Sequence, residues 1–247
     1  MLDRCARALT EAWCHLATFL PDGRVDAVPD GTLVSTTAPT EDLRGPLTVT
    51  SNAGHHTLAA ARELVAAQGR LLAVDTLVGH ADELRRVVEA DGMQRIVERQ
   101  FMTTEVAVLR SPVQRARIAL AADVDALREL QTHAFGMDPR ASACLVSATS
   151  LSASPHAVIF DQHGTALSMA TAHPTPTGIG VFGVATRSDA RRQGLASEVV
   201  AAAVAAAAEL TEATMVWLQA NDDVAGAYVS MGFEASAWSE VWIDGWV

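Results

Sequence analysis

The fold is decided by the stretch Val184-Ala185-Thr186-Arg187-Ser188-Asp189-Ala190-Arg191-Arg192-Gln193-Gly194-Leu195-Ala196-Ser197. Its first three residues close an apolar run that begins at Gly178 and reads as a strand. Its last three open an alanine-rich run that reads as a helix to Leu210. The junction is therefore a strand-to-helix loop. A helix amino terminus leaves about four backbone N–H groups without internal partners and carries roughly half a positive charge, so it attracts phosphate oxygens. Gly194 permits a positive φ and close approach of the backbone, small Ala196 keeps the first turn clear, and Arg191 and Arg192 can reach an anion from the rim. Taken alone, the same residues also suit an ordinary solvated loop before an amphipathic helix.

A second constellation lies downstream. Asn221 follows a strand over 215–220, Tyr228 sits on the next helix, and Gly232-Phe233 ends that helix. Asn221 fits an N-cap and Gly232 a helix stop, which are complete structural explanations for both. Tyr228 is the one tyrosine of the chain. Its phenol has an ordinary pKa near ~10, matched to protonating a thiolate leaving group, although a tyrosine packed on a sheet with its hydroxyl in water has the same sequence.

In order, these residues resemble the GNAT superfamily of N-acetyltransferases, over about Ala116 to Trp246. The family's cofactor motif is Gln or Arg, two residues, Gly, one residue, Gly or Ala, matched by Arg191, Gly194 and Ala196. The spacing of Asn221, Tyr228 and Gly232-Phe233 matches its second motif. The resemblance implies an α/β (α+β) fold with a mixed, mostly antiparallel sheet flanked by helices, splayed between the strand ending at Val184 and the strand ending at Ala220. It also implies acetyl-CoA as co-substrate and no metal. The edge Val184-Ala185-Thr186 would pair with the pantetheine arm, and the N–H groups of Arg192, Gln193, Gly194, Leu195, Ala196 and Ser197 would hold the pyrophosphate. Asn221 would touch pantetheine, and Tyr228 would protonate the departing sulfur. Many relatives place a glutamate on the strand before the loop, but Gly178 to Val184 holds no ionisable residue. His173 is the candidate base instead, with Asp161 and Glu240 behind it.

Outward from the loop, the pattern reads strand 116–120, helix 123–135, a further helix around 140–147, strands 156–161, 166–172 and 178–185, helix 195–210, strand 215–219, helix 222–231 and a final strand pair through Trp246. Upstream it reads helix 2–20, short strands within 25–36 and at 47–50, helix 56–68, strand 71–78, helix 81–90 and strand 96–108. Ser111-Pro112 breaks the chain between the halves, which divides it into 1–110 and 115–247. Sliding the chain by 140 residues lays Gly54 on Gly194, helix on helix, and Gly92 on Gly232. This suggests two tandem related domains. Under that shift Arg191 falls on Ser51, Ala196 on His56, Asn221 on Ala81 and Tyr228 on Val88, so the first copy lacks the chemistry.

Net charge is −11, all 18 basic residues are arginine, and mean hydropathy is +0.18. Such a balance argues against nucleic acid and suits an amine-bearing small molecule or peptide as acceptor. No run approaches the ~18 apolar residues of a membrane span, so a cytoplasmic protein that does not bind membranes is expected. Cys5, Cys14 and Cys144 lack metal-ligand spacing and read as reduced thiols. His55-His56 has no third ligand at suitable spacing. Trp238, Trp242 and Trp246 recur on one strand face, as a sheet cover or as an aromatic wall of an acceptor pocket. A homodimer, with the first half as the interaction element, is compatible with every reading above.

Overall fold

A computed structural model describes residues 1–40, 43–109 and 114–245. The first half runs α1 (Leu2–Ala17), β1 (Arg24–Val28), β2 (Gly31–Ser35), β3 (Leu47–Val49), α2 (His55–Ala66), β4 (Ala73–Leu77), α3 (Asp82–Ala90) and β5 (Gln94–Glu105). The second runs β6 (Arg117–Ile118), α4 (Val124–Phe135), α5 (Pro139–Leu145), α6 (Ala148–Ala153), β7 (His156–Phe160), β8 (Ala166–Pro174), β9 (Ile179–Thr186), α7 (Leu195–Ala208), β10 (Met215–Ala220), α8 (Asp222–Val229) and β11 (Glu234–Ile243). The 140-residue shift lays His55 on Leu195, Asp82 on Asp222 and Gln94 on Glu234, which are the first residues of α2 and α7, α3 and α8, and β5 and β11.

Strands join in one sheet of order β1-β2-β3-β4-β11-β5-β10-β9-β8-β7-β6. The final strand pair expected through Trp246 is a single strand. β11 has no hairpin partner of its own because β5, from the other half, occupies the place beside it. β5 pairs antiparallel with β11 on one side and β10 on the other, while β11 pairs antiparallel with β5 and β4. Each half thus lends its last strand to the other, and from the pairing of Ser239 with Arg99 the order runs outward through β4-β3-β2-β1 on one side and β10-β9-β8-β7 on the other, with β6 as an additional edge strand on the second side. Trp246 and the Ser111-Pro112 break lie outside the described residues.

Alternation along the strands sorts the layers. Val216 and Leu218 pack with α7, and Val74 and Trp242 with α2 and α3, on one face. Trp217, Phe101 and Leu77 face α1, and Met169 and Ala185 face α4, on the other. α1 presents Cys5, Leu9, Ala12 and Leu16 to the sheet at helical spacing. The extra helix α6 follows serines that favour caps over helix interiors; Ser147 caps it by accepting from the Ser150 N–H. The chain entering the second half is pinned to α7. The Glu198 carboxylate accepts the N–H groups of Gln114, Arg115 and Ala116, and the Arg115 guanidinium at 2.9 Å. Burial pushes Glu198 up, but these donors outweigh it and hold the carboxyl below its usual range.

Because β10 and β11 both depend on β5, removing the first half strips each of a neighbour and bares long strand edges. The full chain is expected to unfold in one transition that coincides by circular dichroism and tryptophan fluorescence. A fragment 115–247 is expected to aggregate or pair with itself. Two separated transitions, or a monomeric fragment with cooperative unfolding, would contradict the exchange.

Candidate active site

β9 and β10 run parallel but pair only at Ile179 with Val216 and Gly180 with Trp217. Beyond that point they part, so 181–186 of β9 and 218–220 of β10 face an open gap. The cause is local. Gly183 has a φ of 58°, and the β8–β9 register slips there between Met169 and Thr171, a bulge that turns β9 away. A side chain at 183 would be held in the left-handed region. Val184 shares the bulge with Gly183, and Ala185 and Thr186 follow it, tied to β8 on one edge and lacking a strand on the other. The Thr186 and Ser168 hydroxyls meet at 2.8 Å and fix that end.

The loop after β9 makes a 3-10 turn over Ser188–Ala190 and then bends through two left-handed residues, Arg192 at φ 61° and Gly194 at φ 75°. Nothing lies within 4 Å of where a Cβ on Gly194 would point. Among the described residues, none of the backbone N–H groups from Arg191 to Ser197 donates a hydrogen bond to the protein, and the first that does is Glu198, to the Gly194 carbonyl. Leu195 is buried and seats the helix, Ala196 and Ser197 are half-buried, and Arg191 to Gly194 are exposed. Arg191 Nε reaches the Thr186 carbonyl at 3.4 Å and an Arg115 nitrogen the Gln193 carbonyl at 3.3 Å, which steadies the loop. The result is a concave row of N–H groups at a positive helix end, suited to an anion with several oxygens.

Across the gap, Asn221 starts α8 at the N-cap position, its carbonyl accepting from Val224 and Ala225. Its side chain makes no capping bond and so is not committed to the helix. Tyr228 is half-buried against the α7 core, its ring edge-on to Phe233 at 5.9 Å. Burial pushes the phenol up, so it stays protonated throughout the neutral range. Gly232, at φ 97°, ends the helix, and the Phe233 N–H closes on the Tyr228 carbonyl at 3.1 Å.

The base candidates stand elsewhere. His173 lies in β8 opposite Gly180, at the closed end of the gap, and is only 3% exposed. Its Nδ1 meets Ser154 Oγ at 2.7 Å, and the same hydroxyl meets His15 Nε2 at 2.7 Å. Phe19 and Phe182 enclose the ring. Burial, then the nearby His15 and His156, push it well below its ordinary value. Asp161 folds back on the N–H groups of His163 and Thr165 in an exposed turn. Glu240 is buried between Arg85 and Arg95 in the first half. Trp242 packs with α2 and α3, and Trp238 shares its face, so these two line the sheet face opposite α1.

The first half repeats this architecture and closes it. β3 and β4 are parallel and pair at one position, Leu47 with Val74. At the amino terminus of α2, however, Glu83 Oε1 lies 2.8 Å from where a Cβ on Gly54 would sit, so a carboxylate from α3 crowds the residue before the helix. α1 brings Ala6 and Leu9 against Thr48, Val49 and Asp75 over the parting. Sequence alone did not signal Glu83, because its role depends on two helices meeting, nor the Gly183 bulge, because a glycine in a strand is ambiguous.

Residues 124–233 match the sequence profile of the acetyltransferase (GNAT) family. Among solved structures, the fold is similar to a GCN5-related N-acetyltransferase from Kribbella flavida, 20% identical with TM-score 0.76, covering 98% of this chain and 96% of that one. It is also similar to a tandem GNAT protein from the clavulanic acid biosynthesis pathway, 14% identical, TM-score 0.63, covering 98% and 94%. A functionally unknown conserved protein from Staphylococcus epidermidis ATCC 12228 shares the fold at 13% identity, TM-score 0.67, covering 90% and 94%. A search of curated protein sequences finds no match.

Acid should act first on the histidine cluster. His15, His156 and His173 are all pushed down by burial, so below about pH 6.5 the unfolded chain takes up protons that the native chain refuses, and stability falls as pH drops. Denaturation at pH 5 and pH 7.5 should show this loss, and His173→Gln, which cannot titrate, should lessen it. A variant with an unchanged acid slope would contradict the assignment.

Proposed function

We propose, from the match of residues 124–233 to the acetyltransferase (GNAT) family profile, that the chain is an N-acyltransferase moving an acetyl group from acetyl-CoA to an amine, by direct attack with both substrates bound. In this reading 115–247 is the catalytic part and 1–110 an accessory part whose own gap is closed. The observation that carries the proposal is the unpaired row of N–H groups from Arg191 to Ser197, beside strands parted by the Gly183 bulge.

These residues fit coenzyme A. The loop suits a diphosphate, the free edge of Val184-Ala185-Thr186 suits amides that pair like an added strand, and the Asn221 side chain is available to the same arm. Bound there, acetyl-CoA supplies an activated acyl group as a thioester. Arg191 and Arg192 counter the negative charge at the rim. In this reading a backbone N–H at Val184, in the bulge, stabilises oxygen charge that develops in the gap. Tyr228, protonated and half-buried, holds a proton for the sulfur. The attacking amine must be neutral. His173 is a weak proton acceptor in its apolar enclosure, so the amine is expected to lose its proton to solvent or to a water in the gap.

A second reading, a sensor that binds acyl-CoA without turnover, is favoured by one observation: β9 carries no ionisable side chain, and Asp161 and Glu240 are engaged elsewhere. An amine panel separates the two readings, since any amine that releases free thiol rapidly excludes the sensor. Failure of acetyl-CoA and coenzyme A to bind in calorimetry would sink both. Tyr228→Phe is expected to lower turnover by about tenfold or more while leaving cofactor affinity almost unchanged. Equal turnover in the two forms would remove Tyr228 as the acid.

A further inference from the structure

The α1 face of the sheet carries, at the open end of β10, two polar side chains outside the coenzyme A loop and the Tyr228 pole. Gln219 and Arg99 are both half-buried there. Gln219 pairs across strands with Phe101, and Arg99 lies two residues along β5 on the same face, just past the pairing of Ala220 with Gln100 where β10 ends. Such diagonal neighbours stand roughly 7–8 Å apart at the backbone, within reach of one small ligand for side chains of this length.

The Gln219 amide is held from behind. Trp13 Nε1 donates to Asp75 Oδ2 at 3.2 Å and Ser239 Oγ donates to Asp75 Oδ1 at 3.1 Å. With its one proton so used, the Ser239 hydroxyl must accept, and it accepts from Gln219 Nε2 at 2.6 Å. The amide is thereby oriented, and its Oε1 makes no hydrogen bond among the described residues. Burial pushes Asp75 up to about 6, with Trp13, Ser239, Arg99 and Gln219 opposing, so the carboxylate is ionised at neutral pH and acts as the acceptor this chain requires.

Arg99 differs from the paired arginines. Arg62, Arg85, Arg95, Arg115 and Arg117 each reach a carboxylate. Arg99 reaches none among the described residues, although it is half-buried. It feels Asp75 only through the field, because Asp75 is covered by Trp13 and engaged by Ser239. Its planar fork is thus left with no carboxylate in direct contact among the described residues, and that fork matches a carboxylate.

We propose that the acceptor is an amino acid or a related molecule carrying a carboxylate beside its amine, with Arg99 taking the carboxylate and Gln219 Oε1 the amine. This rests on the acyl-transfer reading and narrows its substrate class. The amino-terminal half then contributes to specificity through Arg99 directly and through Trp13 and Asp75 as positioning residues for Gln219.

The test is calorimetric titration of the coenzyme A-loaded full chain with the common L-amino acids and the carboxamide of each. At least one amino acid should bind about tenfold or more tightly than its carboxamide. Arg99→Gln should erase that difference with coenzyme A affinity unchanged, and Arg99→Lys, which keeps charge without the fork, should restore only part of it. Equal binding of acid and amide, no amino acid bound by the loaded wild-type chain, or a preference that survives Arg99→Gln would overturn the proposal. If coenzyme A itself fails to bind, the acyl-transfer reading falls, and the same titrations on the unloaded chain still decide the role of Arg99.

Discussion

The pairing of β5 with β11 is the constraint on which the molecule depends. Each is the last strand of its half, and each fills a place in the other half's sheet between two antiparallel neighbours. A strand in that position satisfies backbone groups on both edges and lends side chains to both faces. Phe101 of β5 stacks on Trp217 of β10 at 4.8 Å, so a first-half side chain completes the core beneath the second half's gap. Trp242 of β11 does the converse under α2 and α3.

The exchange also explains how one architecture gives two unlike poles. Both halves have a pair of parallel strands that barely touch, with a helix starting beside the parting. In the second half the loop before the helix bends through Arg192 and Gly194 and leaves its N–H groups open. In the first half the Glu83 carboxylate crowds Gly54 before the corresponding helix and α1 covers the gap. A carboxylate beside that helix end disfavours a diphosphate there by like-charge repulsion. The closed pole serves the open one by furnishing Phe101, Arg99 and Asp75.

Most of the fold was legible in the sequence. The strand-to-helix loop, the helix starting after Asn221 and the Gly232 stop are local patterns, and they and the 140-residue repeat survive translation into structure, although the Asn221 side chain makes no capping bond. What was not legible required long-range pairing. The stretch after Phe233 alternates as one strand or two would, and only the place of β5 beside β11 decides for one. His173 stands beside Pro174, which reads as a turn, yet the strand continues through both because His173 pairs with Gly180 and Pro174 with Ile179. Glu198, one acid among many in composition, proves to be the anchor of the chain entering the second half.

A single pole of this two-fold arrangement is expected to take coenzyme A, and hydrogen exchange with and without coenzyme A checks this by reading backbone N–H groups in both halves at once. Protection should appear in peptides covering 184–197 and 221 and be absent from those covering 51–57 at the start of α2. Protection at the start of α2, or at neither helix end, would contradict the account.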